Sequence, residues 1–233
     1  MNILVVDIGG THIKLLASGQ KEPRQFDSGK DLTPDELIRK VHIEAQGWDY
    51  EAVSLGYPGL VNKNGPKAEP QNLGKGWVDF NYEAALGKPV KVINDAAMQA
   101  LGSYQGGRML FLGLGTAVGS ALIVHKVIIP LEIGLLPFRD ATLVAYLGRE
   151  AHRREPHIWQ QAVEEAVAVL KRAFVADYVI LGGGGASEVG SLPAGSRRGG
   201  NELAFTGGFR LWETEVAHLD KRDAPFEVWR VVY

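Results

Sequence analysis

The chain contains no cysteine, so disulfides, thiolate metal sites and cysteine nucleophiles are excluded at the outset. It carries little excess charge. Its 25 lysines and arginines against 27 aspartates and glutamates leave a net charge of -2, which does not mark nucleic acid as a partner. Long apolar runs are also missing: the longest uncharged stretch, residues 109–124, has 16 residues and is rich in glycine, too short to span a bilayer. The first strand pattern begins at Asn2 with no basic leader ahead of it, so the expected location is the cytoplasm, with no membrane partner. What is present is 233 residues with 45% apolar side chains, enough core for one large globular domain or two small ones.

The stretch "ILVVDIGGTHIKLLAS" places Gly9-Gly10-Thr11 between two apolar runs, and reads as a strand at 3–6 turning into a hairpin partner at 13–18. That order excludes two familiar phosphate sites. A dinucleotide fingerprint needs its glycines to open a helix, and a Walker A loop needs a Gly-Lys-Ser/Thr ending that occurs nowhere. "GLGTAVG" at 113–119 also misses the fingerprint, its last glycine falling one residue late.

The second half repeats the plan of the first. Residues 109–113 read as a strand, 115–119 as a glycine-threonine turn and 120–124 as the return strand, while "AVSLGYPG" and "YVILGGGG" each run a short strand into glycines. The expected fold is α/β, with two lobes facing a central cleft: residues 1–105 and 106–233, meeting near Tyr104 to Arg108. Chance likeness between short apolar strands is the alternative. Helices are expected at 34–45, with Thr33 as N-cap and proline at the first helical position, and at 157–174, where Trp159, Val163, Val167, Leu170 and Phe174 form a core stripe. The tail, 213–233, has mixed charge and ends in "FEVWRVVY", whose alternation suggests a terminal strand or an interface of unassigned position.

A turn of Gly, Gly and Thr leaves backbone N–H groups and a hydroxyl free to face an anion, because no β-carbon obstructs the approach. Asp7, just before it, would repel bare phosphate, so its position argues for Mg²⁺ held largely through water. The alternative is a tight hairpin whose aspartate caps its own turn. Asn94-Asp95 falls where a strand at 90–93 meets a helix at 96–104, the edge at which open α/β sheets bind ligands. Asp95 is the candidate general base for phosphoryl transfer, with N-capping of the helix as its other reading.

The segments "VVDIGGTHIKL", "INDAAMQALGSY", "FLGLGTAVGSALI", "PLEIGLLPF" and "VILGGGGA" resemble, in order, the phosphate, catalytic, second phosphate, sugar and adenosine segments of the ROK sugar kinases. These belong to the actin-like ATPase superfamily of paired ribonuclease-H-like lobes. The likeness is strongest toward the polyphosphate glucokinase branch, through "NLGKGW" at 72–77 and "LPAGSRRGGNELAFTGGFRLW" at 192–212. It implies Asp95 as general base, and Asn94, Glu132, Asn72, Gly59 and Leu135 on the sugar side. Asp7, Gly9, Gly10, Thr11 and Lys14 would hold the donor phosphates and their Mg²⁺, Gly115, Thr116 and Gly119 would close on them, and Gly182, Gly183, Gly184 and Gly185 would lie against adenosine. The donor would be ATP or polyphosphate, the acceptor a hexose, and the assembly a homodimer.

Three departures stand against the family pattern. The cysteine-rich zinc site is absent, as in the polyphosphate branch, so no zinc is expected. No DNA-binding helix pair precedes the first strand, so no DNA partner is expected. The sugar segment reads Glu132-Ile133-Gly134-Leu135 where the family has histidine last. Asp95 favours an active hexose kinase; Leu135 favours a regulatory relative that binds sugar and nucleotide with weakened catalysis. His152 and His157 read as a solvated helix junction rather than a metal site. Arg197 and Arg198 could track a polyanion or belong to a solvated loop.

Overall fold

β1 (Ile3–Ile8) is buried along its whole length because it is flanked on both sides. The computed structural model describes residues 1–213 and 229–232. After β1 come β2 (His12–Ala17), β3 (Arg24–Asp27), α1 (Pro34–Glu44), β4 (Ala52–Tyr57), the short pair β5 (Val61–Asn62) and β6 (Gly65–Pro66), α2 (Tyr82–Leu86), β7 (Val90–Asn94) and α3 (Asp95–Ser103). The second half holds β8 (Arg108–Leu114), β9 (Val118–Val124), β10 (Val127–Leu131), β11 (Pro137–Phe138), β12 (Ala141–Thr142), α4 (Leu143–Leu147), α5 (Arg149–Arg154), α6 (Pro156–Ala173), β13 (Tyr178–Gly182), β14 (Ser196–Arg198), α7 (Leu203–Arg210) and β15 (Arg230–Val231).

Two mixed sheets result, in the orders β3-β2-β1-β4-β7 and β14-β13-β8-β9-β10-β15. The repeated plan is visible in the pairing. β1 has antiparallel β2 on one side and parallel β4 on the other, and β8 has antiparallel β9 and parallel β13. Two-residue alternation divides β1 between two cores. Leu4, Val6 and Ile8 pack toward α1, whereas Ile3 and Val5 share a core with Ala97 and Leu101 of α3 and with Met109 and Phe111 of the second sheet. Asp7 continues the second face, and so points to the layer where α3 lies.

α7 completes that layer. Gly102 and Gly207 let α3 and α7 cross backbone to backbone, and Gly208 lies directly on Val5. Buried Ser54 fastens the arrangement, donating to the Gly208 carbonyl (2.7 Å) and accepting from Trp212 Nε1 (2.9 Å).

Thr33 caps α1 as the sequence suggests, its hydroxyl accepting from Glu36 N at 3.4 Å. α6 starts one residue earlier than expected, because Pro156 supplies a preset φ and no N–H at the first helical position. Part of the tail is the suggested terminal strand: Arg230 and Val231 pair parallel with Val127 and Ile128, and Trp229 packs edge-on to Tyr104. The rest of the tail, 214–228 and 233, lies outside the described residues. No helix among the described residues is long and apolar enough to cross a membrane.

Candidate active site

The first glycine turn joins β1 to β2. Register sets Lys14 directly opposite Asp7, on the same face. Burial pushes the Asp7 carboxyl up to about 6, with Lys14 pulling the other way. Gly9 N donates to the His12 carbonyl (3.1 Å) and closes the turn. Gly10 lies beside Asn72, whose Cβ would stand 3.9 Å from a β-carbon built there, so the 72–77 segment borders this turn. That segment is anchored by buried Trp77, which donates from Nε1 to the Gly74 carbonyl, and by Glu69, which accepts from the N–H groups of Gly76, Trp77 and Val78.

The capping of α3 belongs to Asn94. Its Oδ1 accepts from Ala97 N (3.0 Å) and its Nδ2 donates to the Gly59 carbonyl (3.1 Å), tying the end of β7 to the loop after β4. The N-cap reading of Asp95 is thereby corrected, since the helix begins at Asp95 and the cap precedes it. One amide hydrogen and one lone pair of Asn94 stay available to a ligand. Asp95 accepts from Ala96 N through Oδ1 (2.8 Å). Burial first, then the nearby Asp7 charge, push its carboxyl up to about 7; Ala96 N–H opposes this and Glu132 adds to it. Glu132 is itself raised by burial. The chain therefore brings carboxylates from β1 and from the link after β10 within electrostatic reach of Asp95 on α3.

The second turn meets α3. Gly119 lies so close to Ala96 that a β-carbon there would stand 2.6 Å from the Ala96 methyl, which sets the start of β9 one residue from Asp95. Gly115 closes its turn by donating to the Ala117 carbonyl (3.1 Å) and accepts from Arg149 N (2.7 Å). A β-carbon on Gly148 would stand 3.2 Å from the Thr116 carbonyl, so the residue before α5 borders this turn as well. Gly182 ends β13, and Gly183, at a φ of +72°, turns the chain so that Gly185 abuts the Leu114 carbonyl at the end of β8. Beyond lies a cavity of about 240 Å³, lined among others by Gly184, Gly185, Arg149, His152 and Arg153.

Other sequence candidates fall outside this gathering. Leu135, in a single 3-10 turn at Ile133–Leu135, is 72% exposed. Arg197 donates to Gln105 Oε1 and stacks on Tyr178, and Arg198 donates to the Val189 carbonyl, so both guanidinium groups are engaged along an edge strand. His152 stacks on Trp159, and His157 contacts Gln161. Among the described residues, no group of three or more His, Asp or Glu could by itself hold a metal ion.

Two serines escaped the sequence reading. Ser120 is buried; its Oγ donates to the Leu131 carbonyl (2.8 Å) and accepts from Ile133 N (3.4 Å), bracketing Glu132. Ser28 is buried behind the first turn. Ser28 stands in no recognisable motif, and Ser120, within the "FLGLGTAVGSALI" segment, reads there only as a strand residue; the three-dimensional pairing of β9 with β10 and of β2 with β3 delivers them to these carbonyls.

Similar solved structures define the fold: the chain shares that of ROK family glucokinase and hexokinase structures. It superposes on the inorganic polyphosphate/ATP-glucomannokinase of Arthrobacter sp. strain KM with a TM-score of 0.75 at 23% identity, over 88% of this chain and 96% of the other. The ROK family glucokinase of Streptomyces griseus, solved with glucose and AMPPNP, gives 0.65 at 18%, over 89% and 97%. In sequence the chain resembles polyphosphate glucokinases. It is 24% identical to that of Mycobacterium tuberculosis over 215 residues, 77% of this chain and 76% of the relative. To that of Mycobacterium leprae it is 26% identical over 201 residues, 78% of this chain and 59% of the relative. No family model matches.

Proposed function

We propose that the protein is a sugar kinase that moves a phosphoryl group from ATP or polyphosphate to a hexose hydroxyl. In this reading residues 1–105 and 106–233 are two lobes across a cleft, with Asp95 at the bottom. Gly9, Gly10, Thr11 and Lys14 receive the donor phosphates, Gly115, Thr116 and Gly119 close on them, and Gly182 to Gly185 flank adenosine when ATP is the donor. Asn94, Glu132, Asn72 and Gly59 face the sugar, with Leu135 at its margin. The working form is a homodimer in the cytoplasm.

The observation that carries this is Asp95. A carboxylate relieved of capping, buried beside another carboxylate and pushed up to about 7, is matched to taking a hydroxyl proton near neutrality. The sugar oxygen attacks the terminal phosphorus, its proton passes to Asp95, and the bond to the donor's bridging oxygen breaks. Lys14 offsets the phosphate charge. A carboxylate whose proton affinity is raised by burial and by the charge of a neighbouring carboxylate suits a cation, and Mg²⁺ takes one or two carboxylates and completes its shell with water and phosphate. Asp7 would hold it, and when bound it would neutralise charge developing on the phosphates.

The test is a panel of hexoses offered with ATP and with polyphosphate, scored by sugar phosphate formed rather than donor consumed. Sugar phosphate from at least one pair is expected. Donor binding without product from any sugar would overturn the kinase reading in favour of a regulatory relative.

A further inference from the structure

The first glycine turn is held from behind by a residue outside any motif. Ser28, one residue past β3 and only 3% exposed, donates from Oγ to the Gly9 carbonyl at 2.6 Å. Its backbone N–H donates to the Thr11 carbonyl at 3.0 Å. One residue thus grips the carbonyls on either side of Gly10.

Peptide planarity turns that grip into an orientation. In a trans peptide the N–H points opposite to the C=O of the same unit, and no peptide bond among the described residues is cis. With the Gly9 carbonyl drawn inward to Ser28, the Gly10 N–H faces outward. Among the described residues, neither Gly10 nor Thr11 donates its backbone N–H to a protein acceptor. A Gly-Gly link has no β-carbon to restrict it, so without an external hold the peptide between Gly9 and Gly10 can flip. A flip would present a carbonyl oxygen, which repels phosphate, where an N–H should bind it.

We propose that Ser28 is a positioning residue for donor phosphate: it fixes the Gly9–Gly10 peptide with its N–H toward the anion. This rests on the kinase reading above, and deepens it by assigning the orientation of the donor turn to the serine that follows β3.

The experiment compares wild type, Ser28→Ala and Ser28→Thr by equilibrium binding of tripolyphosphate and of a non-hydrolysable ATP analogue with Mg²⁺, alongside sugar binding and thermal melting. Ser28→Ala is expected to weaken both donors about 10-fold, the scale of one hydrogen bond to a charged group, with sugar affinity within about twofold. Ser28→Thr, which keeps the hydroxyl, should recover most of the loss. Equal donor affinity in folded Ser28→Ala would overturn the role of Ser28 and leave the kinase reading standing. A wild type that binds neither donor would overturn both. One readout needs no variant: the ¹⁵N-¹H signal of Gly10 in the wild type should shift strongly on adding tripolyphosphate with Mg²⁺, and an unmoved signal at saturation would overturn the proposal.

Discussion

Asn94 caps α3 and leaves its neighbour Asp95 as the first residue of the helix, where burial and then the Asp7 charge push its carboxyl up. Two adjacent residues, both able to cap, thus divide the work. Asp95→Asn should keep the fold and donor binding, because the amide can still accept from Ala96 N. It should lower kcat by roughly 10²-fold to 10⁴-fold. Steady-state kinetics with the best sugar checks this, and near-normal turnover would show that Asp95 is not the base.

The same carboxyl makes the metal-free protein sensitive to pH. Its folded pKa, about 7, lies above the ordinary 3.8, so the folded state holds a proton that the unfolded state releases between those values. The stability this confers is complete below 3.8 and is lost as pH rises through 7. Asp95→Asn, measured in EDTA, should therefore melt about 2–8 °C above wild type at pH 8, with a smaller gap at pH 5. A gap that widens toward acid would contradict the buried, like-charged environment.

Neighbouring glycines of the first turn should behave differently. A β-carbon at Gly10 meets nothing closer than Asn72 Cβ at 3.9 Å, whereas one at Gly9 would stand 2.8 Å from the His12 carbonyl. Gly10→Ala should leave the melting temperature within a degree or two and raise the donor KM, since the methyl would stand where the proposed site receives phosphate; Gly9→Ala should lower the melting temperature. Identical melting losses in both would mean that the turn has only a structural role.

Leu135 offers no hydrogen bond to a sugar, and at 72% exposure it loses water only when a ligand covers it. A hydroxyl pressed against it without another partner costs about 1–3 kcal/mol, so glucose should bind weakly. Leu135→His should gain glucose phosphorylation mainly through a lower KM. Unchanged, negligible phosphorylation in the folded variant, with ATP still bound, would favour the regulatory reading.

The two hairpins, the Thr33 cap and the stripe of α6 were legible because each is local: periodicity, a cap residue and a turn composition state them within a dozen residues. The division between Asn94 and Asp95 was not, because either side chain satisfies the local rule and only the Gly59 carbonyl, brought in by β4, selects Asn94. Ser28 was invisible for the same reason. A serine next to a strand carries no signature, and its importance comes from which carbonyls a neighbouring strand places beside it. The second glycine turn and the Asn94-Asp95 segment could be read as motifs, yet their meeting at Gly119 and Ala96 belongs to the packing alone.

The crossing of α7 over Val5 also governs the order in which the protein can be completed during synthesis. Val5 leaves the ribosome about 200 residues before Gly208, so the face of β1 that carries Asp7 waits uncovered until α7 has been made. The first half can pair its strands early and close its α1 side at once. Its Asp7 side is sealed only when the glycines of α7 arrive, and until then a nascent chain has no finished place for the ligands proposed above.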